Sequence, residues 1–124
     1  MLGRPQDALM LIDRALAMNP GNTWYEFMNQ CYAYLLLGQA DRAIQACEKS
    51  NGYNDFWATH AFLVAAFANK GDMERAVSAA RALQQGAPGY TIARAKRYSE
   101  VPEFVKLAEE YWFAGMRKAG VPDE

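Results

Sequence analysis

The chain has 124 residues, of which 52% are hydrophobic and 22% are charged. This length predicts one domain, and this composition argues against intrinsic disorder. Thirteen basic and fourteen acidic residues almost cancel, so the net charge gives no general attraction to nucleic acid or to anionic lipid, and we expect neither a nucleic acid nor a membrane as a partner.

Apolar residues three and four positions apart, divided by glycine, proline and capping residues, predict an all-α chain. We expect helices at about residues 5–18, 23–37, 40–50, 55–70, 73–86, 90–98 and 102–119. Asn22 or Thr23 can cap the second helix, and Asp72 can cap the fifth. Gly38 is expected to end the second helix, because glycine adopts the left-handed conformation without a Cβ penalty.

The predicted helices recur along the chain with a period close to 34 residues. The turn glycines Gly3, Gly38 and Gly71 are 35 and 33 residues apart. An alanine follows each glycine by five residues, where small side chains allow two helices to cross closely; these are Ala8, Ala43 and Ala76. Such a period predicts stacked helical hairpins, the architecture of an α-solenoid.

The period, the turn glycines and the alanines resemble the tetratricopeptide repeat. The second repeat has Phe27 and Tyr34 at the aromatic positions of the family, with Gln30 and Cys31 where Leu-Gly is usual. The third repeat keeps the pattern at Leu63 and Phe67. It departs from the pattern at His60 and Val64, which replace the aromatic residue and the glycine.

This resemblance implies a single domain over residues 1–124, with a TPR-like superhelix of antiparallel hairpins. Its parts are a half-repeat at 1–22, repeats at 23–54 and 55–89, and a C-terminal cap with a capping helix at 90–124. A terminal cap is what repeat arrays require. The implied function is a non-enzymatic module that binds a partner protein or peptide.

The end of the chain carries a narrower resemblance. Residues 116–124 resemble the end of tetratricopeptide regions in bacterial adenylate/guanylate cyclase-like proteins and winged-helix regulators, and residues 88–94 resemble their Pro-Gly-Phe-Thr run. The alternative function is therefore a regulatory segment of a larger bacterial nucleotide cyclase or transcriptional regulator. The sequence contains neither a cyclase nor a winged-helix domain, so the resemblance implies no catalytic residue.

The residues typical of catalysis or metal binding do not form a set in this sequence. His60 is the only histidine, and it lies on an apolar stripe with Leu63 and Phe67, which favours a packing role. One histidine and two cysteines sixteen residues apart cannot complete a zinc site, and no glycine-rich phosphate loop occurs. We expect no enzyme activity, no metal and no cofactor.

The two cysteines, Cys31 and Cys47, are too few for a disulfide framework. Both fall on the apolar faces of predicted helices. We expect buried, reduced thiols that face each other across a helix crossing without being bonded. The N-terminus lacks the layout of a signal peptide, and the longest apolar run, residues 31–37, is too short to span a membrane. These features favour a cytoplasmic protein.

In this repeat family the first helix of each hairpin lines a concave groove. The resemblance implies that the groove binds the partner through Tyr25, Met28, Asn29, Tyr32, Leu36, Phe62 and Asn69. Most of these residues are apolar, which suits an apolar or amphipathic segment of a partner. Two interpretations of them stand at this stage: an exposed binding surface, or core between stacked helices.

The helix predicted at 5–18 carries apolar residues on more than one face. Because Met1-Leu2-Gly3 matches the end of a first helix and its turn, this helix would lack its hairpin partner. An upstream segment of a longer protein or a second copy of the chain would then cover the bare face. For the isolated chain we expect a homodimer through Leu9, Ile12 and Leu16.

Overall fold

The computed structural model describes residues 5–18, 23–98 and 102–124. The long helices are α1 (Pro5–Met18), α2 (Thr23–Leu36), α3 (Ala40–Tyr53), α4 (Trp57–Lys70) and α5 (Met73–Gly86). The chain continues with α6 (Ile92–Tyr98), α7 (Pro102–Ala108), a π-helical segment (Glu109–Phe113) and α8 (Ala114–Lys118). Within these ranges no strand occurs, so the predicted all-α class is confirmed, and each predicted helix is present to within a few residues.

The turns between the long helices have the predicted chemistry. Gly38 and Gly71 follow α2 and α4 with φ of 75° and 91°, the left-handed conformation that favours glycine. Asp72 accepts a hydrogen bond from the backbone N–H of Arg75 at 3.2 Å and caps α5. The predicted turn at Gly3 and the predicted cap Asn22 lie outside the described residues, as does the side chain of Thr23.

The long helices pack in chain order. α2 packs against α3, and α4 against α5, as two helical hairpins, while α3 also packs on α4 and α1 packs on α2. The first helices of the two hairpins, α2 and α4, touch each other as well. Ala43 and Ala76 are fully buried, as expected where helices cross closely.

The C-terminal helix lies across the two first helices. α7, the π segment and α8 run without a break, and they contact α2 and α4. In the π segment the backbone N–H of Ala114 reaches the carbonyl of Glu109, one residue further back than in an α-helix. Trp112 and Phe113 of this segment are buried. The cap predicted from the sequence therefore packs on the face expected to form a groove.

Cys31 and Cys47 form a disulfide bond, with their Cα atoms 5.3 Å apart. Both are fully buried and face each other across the α2–α3 crossing, as predicted. The prediction that they remain unbonded is wrong, because the hairpin brings their Cα atoms into the range of about 4–7 Å in which a disulfide forms.

Disulfides are typical of oxidising compartments, so the bonded cysteines do not favour a cytoplasmic protein. None of the helices in the described ranges combines the length and the apolar character needed to cross a bilayer.

One apolar face of helix α1 packs against the rest of the chain. Ala8 and Ile12 are 4% and 6% exposed because α1 packs on α2. Ile12 is therefore not available at the surface, and its prediction as a self-association residue is wrong. Leu9 is partly buried, and the side chain of Leu16 lies outside the described residues. Among the described side chains of α1, the large exposed apolar residues are Met10, Leu11 and Met18.

Candidate functional site

Four of the predicted groove residues belong to the core. Met28, Tyr32, Leu36 and Phe62 are each no more than 4% exposed. The expectation that these four side chains line an exposed concave surface is therefore wrong. The physical reason is the C-terminal helix, which packs across α2 and α4 and covers the face on which these residues lie.

Trp112 closes the predicted groove by packing on its central aromatic residues. The rings of Tyr32 and Phe62 stack with centroids 5.0 Å apart, and the Trp112 ring lies 5.3 Å from Tyr32 and 5.1 Å from Phe62. The indole N–H of Trp112 donates a hydrogen bond to the carbonyl of Ala61 at 3.0 Å. Trp112 was not among the site residues predicted from the sequence. The available signal was its position four residues after Ala108 on the inward stripe of the last helix.

The other three predicted groove residues are not in the core. Tyr25 is 47% exposed, and its ring lies against Trp24 with centroids 5.7 Å apart. Asn29 is partly buried. Asn69 is exposed, and its side-chain amide donates to the carbonyl of Tyr111 at 2.7 Å. Asn69 therefore holds the chain's own π segment in place, whereas Tyr25 remains at the surface.

A cleft of about 220 Å³ lies between the start of α4, the start of α6 and the π segment. We call it the aromatic cleft. Its floor includes the buried aromatic residues Phe62, Tyr90 and Trp112. Its rim is formed by Trp57 and Ala58, which are partly buried, and by Arg94, which is exposed. The cleft is lined by Trp57, Ala58, Ala61, Phe62, Tyr90, Arg94 and Trp112. The covered groove therefore still presents one concave apolar site.

Arg94 places a positive charge at the rim of the aromatic cleft. Its guanidinium carbon lies 4.8 Å from the ring centroid of Trp57 and 5.5 Å from that of Tyr90. The Trp57 and Tyr90 rings themselves are 5.6 Å apart. Such stacking is favourable for a cation and restricts the side chain. The guanidinium pairs with no carboxylate within the described ranges.

The C-terminal tail fixes the helix that carries Arg94. At the start of α6, the backbone N–H of Ile92 donates to the carbonyl of Pro122 and that of Ala93 to the carbonyl of Asp123, both at 2.9 Å. Arg117 holds this tail: its Nε lies 2.8 Å from Asp123 Oδ1, and its Nη1 lies 2.7 Å from Glu109 Oε1. Hydrogen bonds with Asp123 and then Glu109 raise the pKa of the Arg117 guanidinium.

His60 is separate from the aromatic cleft's lining. Its Nε2 lies 3.0 Å from Asp55 Oδ1, and its side chain is 20% exposed. Within the described residues, no three His, Cys, Asp or Glu side chains come together in a group that could hold a metal ion.

The aromatic cleft is thus a concave, aromatic-lined site in the part of the chain that the structure describes. We compared the sequence with protein-family models and with curated proteins, and the fold with solved structures. None of the three comparisons found a match.

Proposed function

We propose that this chain is a non-enzymatic protein-interaction module that binds an apolar or amphipathic segment of a partner protein in the aromatic cleft. The observation that carries this proposal is the cleft itself, a concave site with a buried aromatic floor and an accessible rim. Buried aromatic residues and arginine are typical of the residues that dominate binding energy in interfaces. At about 220 Å³, the cleft is smaller than the usual small-molecule pocket of about 300–1,000 Å³.

The same proposal includes the architecture, a short TPR-like solenoid. The packing of α2–α3 against α4–α5, with contact between α2 and α4, supports it. So do the left-handed turns at Gly38 and Gly71, which occupy equivalent places in the two hairpins. In this arrangement the C-terminal helix fills most of the concave face, and the aromatic cleft is the part that remains for a partner.

A selection experiment tests the function without knowledge of the natural partner. A library of random twelve-residue peptides is selected against the immobilised chain, and the enriched peptides are measured against wild type and Ala58→Leu. Ala58 is partly buried and lines the cleft, so the larger side chain should occupy the space of the partner's residue. We expect the enriched peptides to bind Ala58→Leu at least about tenfold more weakly.

Ala82→Leu is the matched control, because Ala82 is also a partly buried helical alanine but does not line the cleft. Circular dichroism establishes that both variants are folded. Enriched peptides should bind this control as they bind wild type. If no peptide is enriched, or if Ala58→Leu binds the enriched peptides unchanged, the proposed function is wrong.

A further inference from the structure

We infer that the aromatic cleft selects a peptide segment in which one bulky apolar side chain lies next to an aspartate or glutamate. This inference rests on the proposed function and adds the chemical class of the partner. Two separate properties of the cleft lead to it: the shape and polarity of its floor, and the charge at its rim.

The floor of the cleft fits a single apolar side chain. Phe62, Tyr90 and Trp112 are each no more than 3% exposed. The indole N–H of Trp112 is already used by the carbonyl of Ala61, so the indole offers an incoming group a ring surface rather than a donor. An aliphatic or aromatic side chain gains the most from such a surface. The volume of about 220 Å³ limits the occupant to about one large side chain.

The positive charge at the rim of the cleft favours an anionic group on the partner. Arg94 is exposed, is stacked on Trp57 and Tyr90, and pairs with no carboxylate among the described residues. Among the described residues that line the cleft, none is acidic. Lys96 and Arg97 are also exposed on α6, which adds to the positive potential. A carboxylate beside the bound apolar side chain matches the planar guanidinium geometry.

Three matched peptides test the inference. Each is a twelve-residue peptide with blocked ends, built of glycine and serine around one phenylalanine, which is flanked on both sides by glutamate, glutamine or lysine. Binding is followed by NMR at the indole N–H signals of the three tryptophans. Trp57 and Trp112 line the cleft and Trp24 does not, so Trp24 is the internal reference.

We expect the glutamate peptide to shift the signals of Trp57 and Trp112 and to bind about three- to fivefold more tightly than the glutamine peptide, the range of a solvent-exposed ion pair. The lysine peptide should be the weakest. Arg94→Gln should remove the difference between the glutamate and glutamine peptides. Arg97→Gln, which makes the same charge change on the same helix outside the cleft lining, should preserve it.

The outcomes separate the inference from the proposed function. If the glutamate and glutamine peptides bind equally, or if Arg97→Gln acts like Arg94→Gln, the acidic partner class is wrong while the apolar binding function stands. If the shifts occur at Trp24 alone, the cleft is not the binding site, and both are overturned. If none of the three peptides binds and the random library also yields no binder, both are likewise overturned.

Discussion

Gly115 of α8 lies directly against the backbone of Ala65 in α4. A Cβ atom at position 115 would come within 2.9 Å of the Ala65 Cα and 3.1 Å of the Ala65 carbonyl oxygen. Both are backbone atoms, so the two helices would have to separate. We expect Gly115→Ala to lower the free energy of unfolding by about 1–3 kcal/mol, as measured by urea denaturation.

Gly52 provides the control for this substitution. It lies in α3, and a Cβ atom there would meet nothing within 4 Å. Gly52→Ala should therefore raise the free energy of unfolding by up to about 1 kcal/mol, because alanine is the better helix former. A similar loss of stability at both positions would show that the close approach of α8 to α4 is not what Gly115 provides.

The disulfide between Cys31 and Cys47 should contribute measurably to stability. It closes a loop with a sequence separation of 16 residues, and a loop of this size corresponds to about 3 kcal/mol of reduced unfolded-state entropy. We expect a reducing agent to lower the free energy of unfolding by about that amount in chemical denaturation.

The double variant Cys31→Ala/Cys47→Ala separates this effect from any other action of the reductant. Its stability should be lower than that of the oxidised chain and should not change when the reductant is added. Wild-type denaturation curves that coincide with and without reductant would mean that the bond contributes nothing.

Tyr32 should be essential for folding rather than for binding alone. It is 2% exposed and packs between Phe62 and Trp112, so Tyr32→Ala removes a large buried side chain. We expect a loss of about 3–5 kcal/mol in the free energy of unfolding. Tyr25→Ala is the comparison, because Tyr25 is 47% exposed and surface replacements usually change stability by no more than about 0.5 kcal/mol. Equal losses in thermal denaturation would place Tyr32 at the surface.

Self-association through α1 remains a proposal, and the structure changes which residues test it. Met10, Leu11 and Met18 are 61%, 48% and 83% exposed, so a second copy of the chain would bury them. Sedimentation equilibrium at micromolar concentration should show a dimer that Leu11→Glu converts to monomer. Gln6→Glu adds the same charge at an exposed polar position of the same helix and should leave the dimer intact. A wild-type chain that sediments as a monomer would exclude this interface.

Most of the helical framework could be predicted from the sequence because it depends on local signals. Gly38, Gly71 and Asp72 act within one turn of the chain, and they set where helices end and begin. The burial of Tyr32 could not be predicted in the same way. On α2 alone it has the spacing of a groove residue, and no pattern within α2 specifies that the distant Trp112 packs on it and makes it a core residue.

The site was predicted less well than the fold for the same reason. Trp57 lies 33 residues before Tyr90 and 37 before Arg94, so the stacking of Arg94 on Trp57 depends on the tertiary fold. The disulfide was also missed, although its geometry was foreseen. The prediction that Cys31 and Cys47 face each other across the helix crossing was right. The helical pattern of the sequence does not reveal whether two facing thiols are oxidised.

The π segment at Glu109–Phe113 acts as a phase shift within a continuous helix. It accommodates one extra residue between α7 and α8, and buried residues lie on both sides of it: Ala108 before it, and Gly115 and Met116 after it. If the same residues formed a regular α-helix instead, everything downstream would rotate by about 100°. Gly115 would then turn away from α4, and the tail carbonyls would leave α6. A one-residue irregularity therefore sets which face of α8 meets α4.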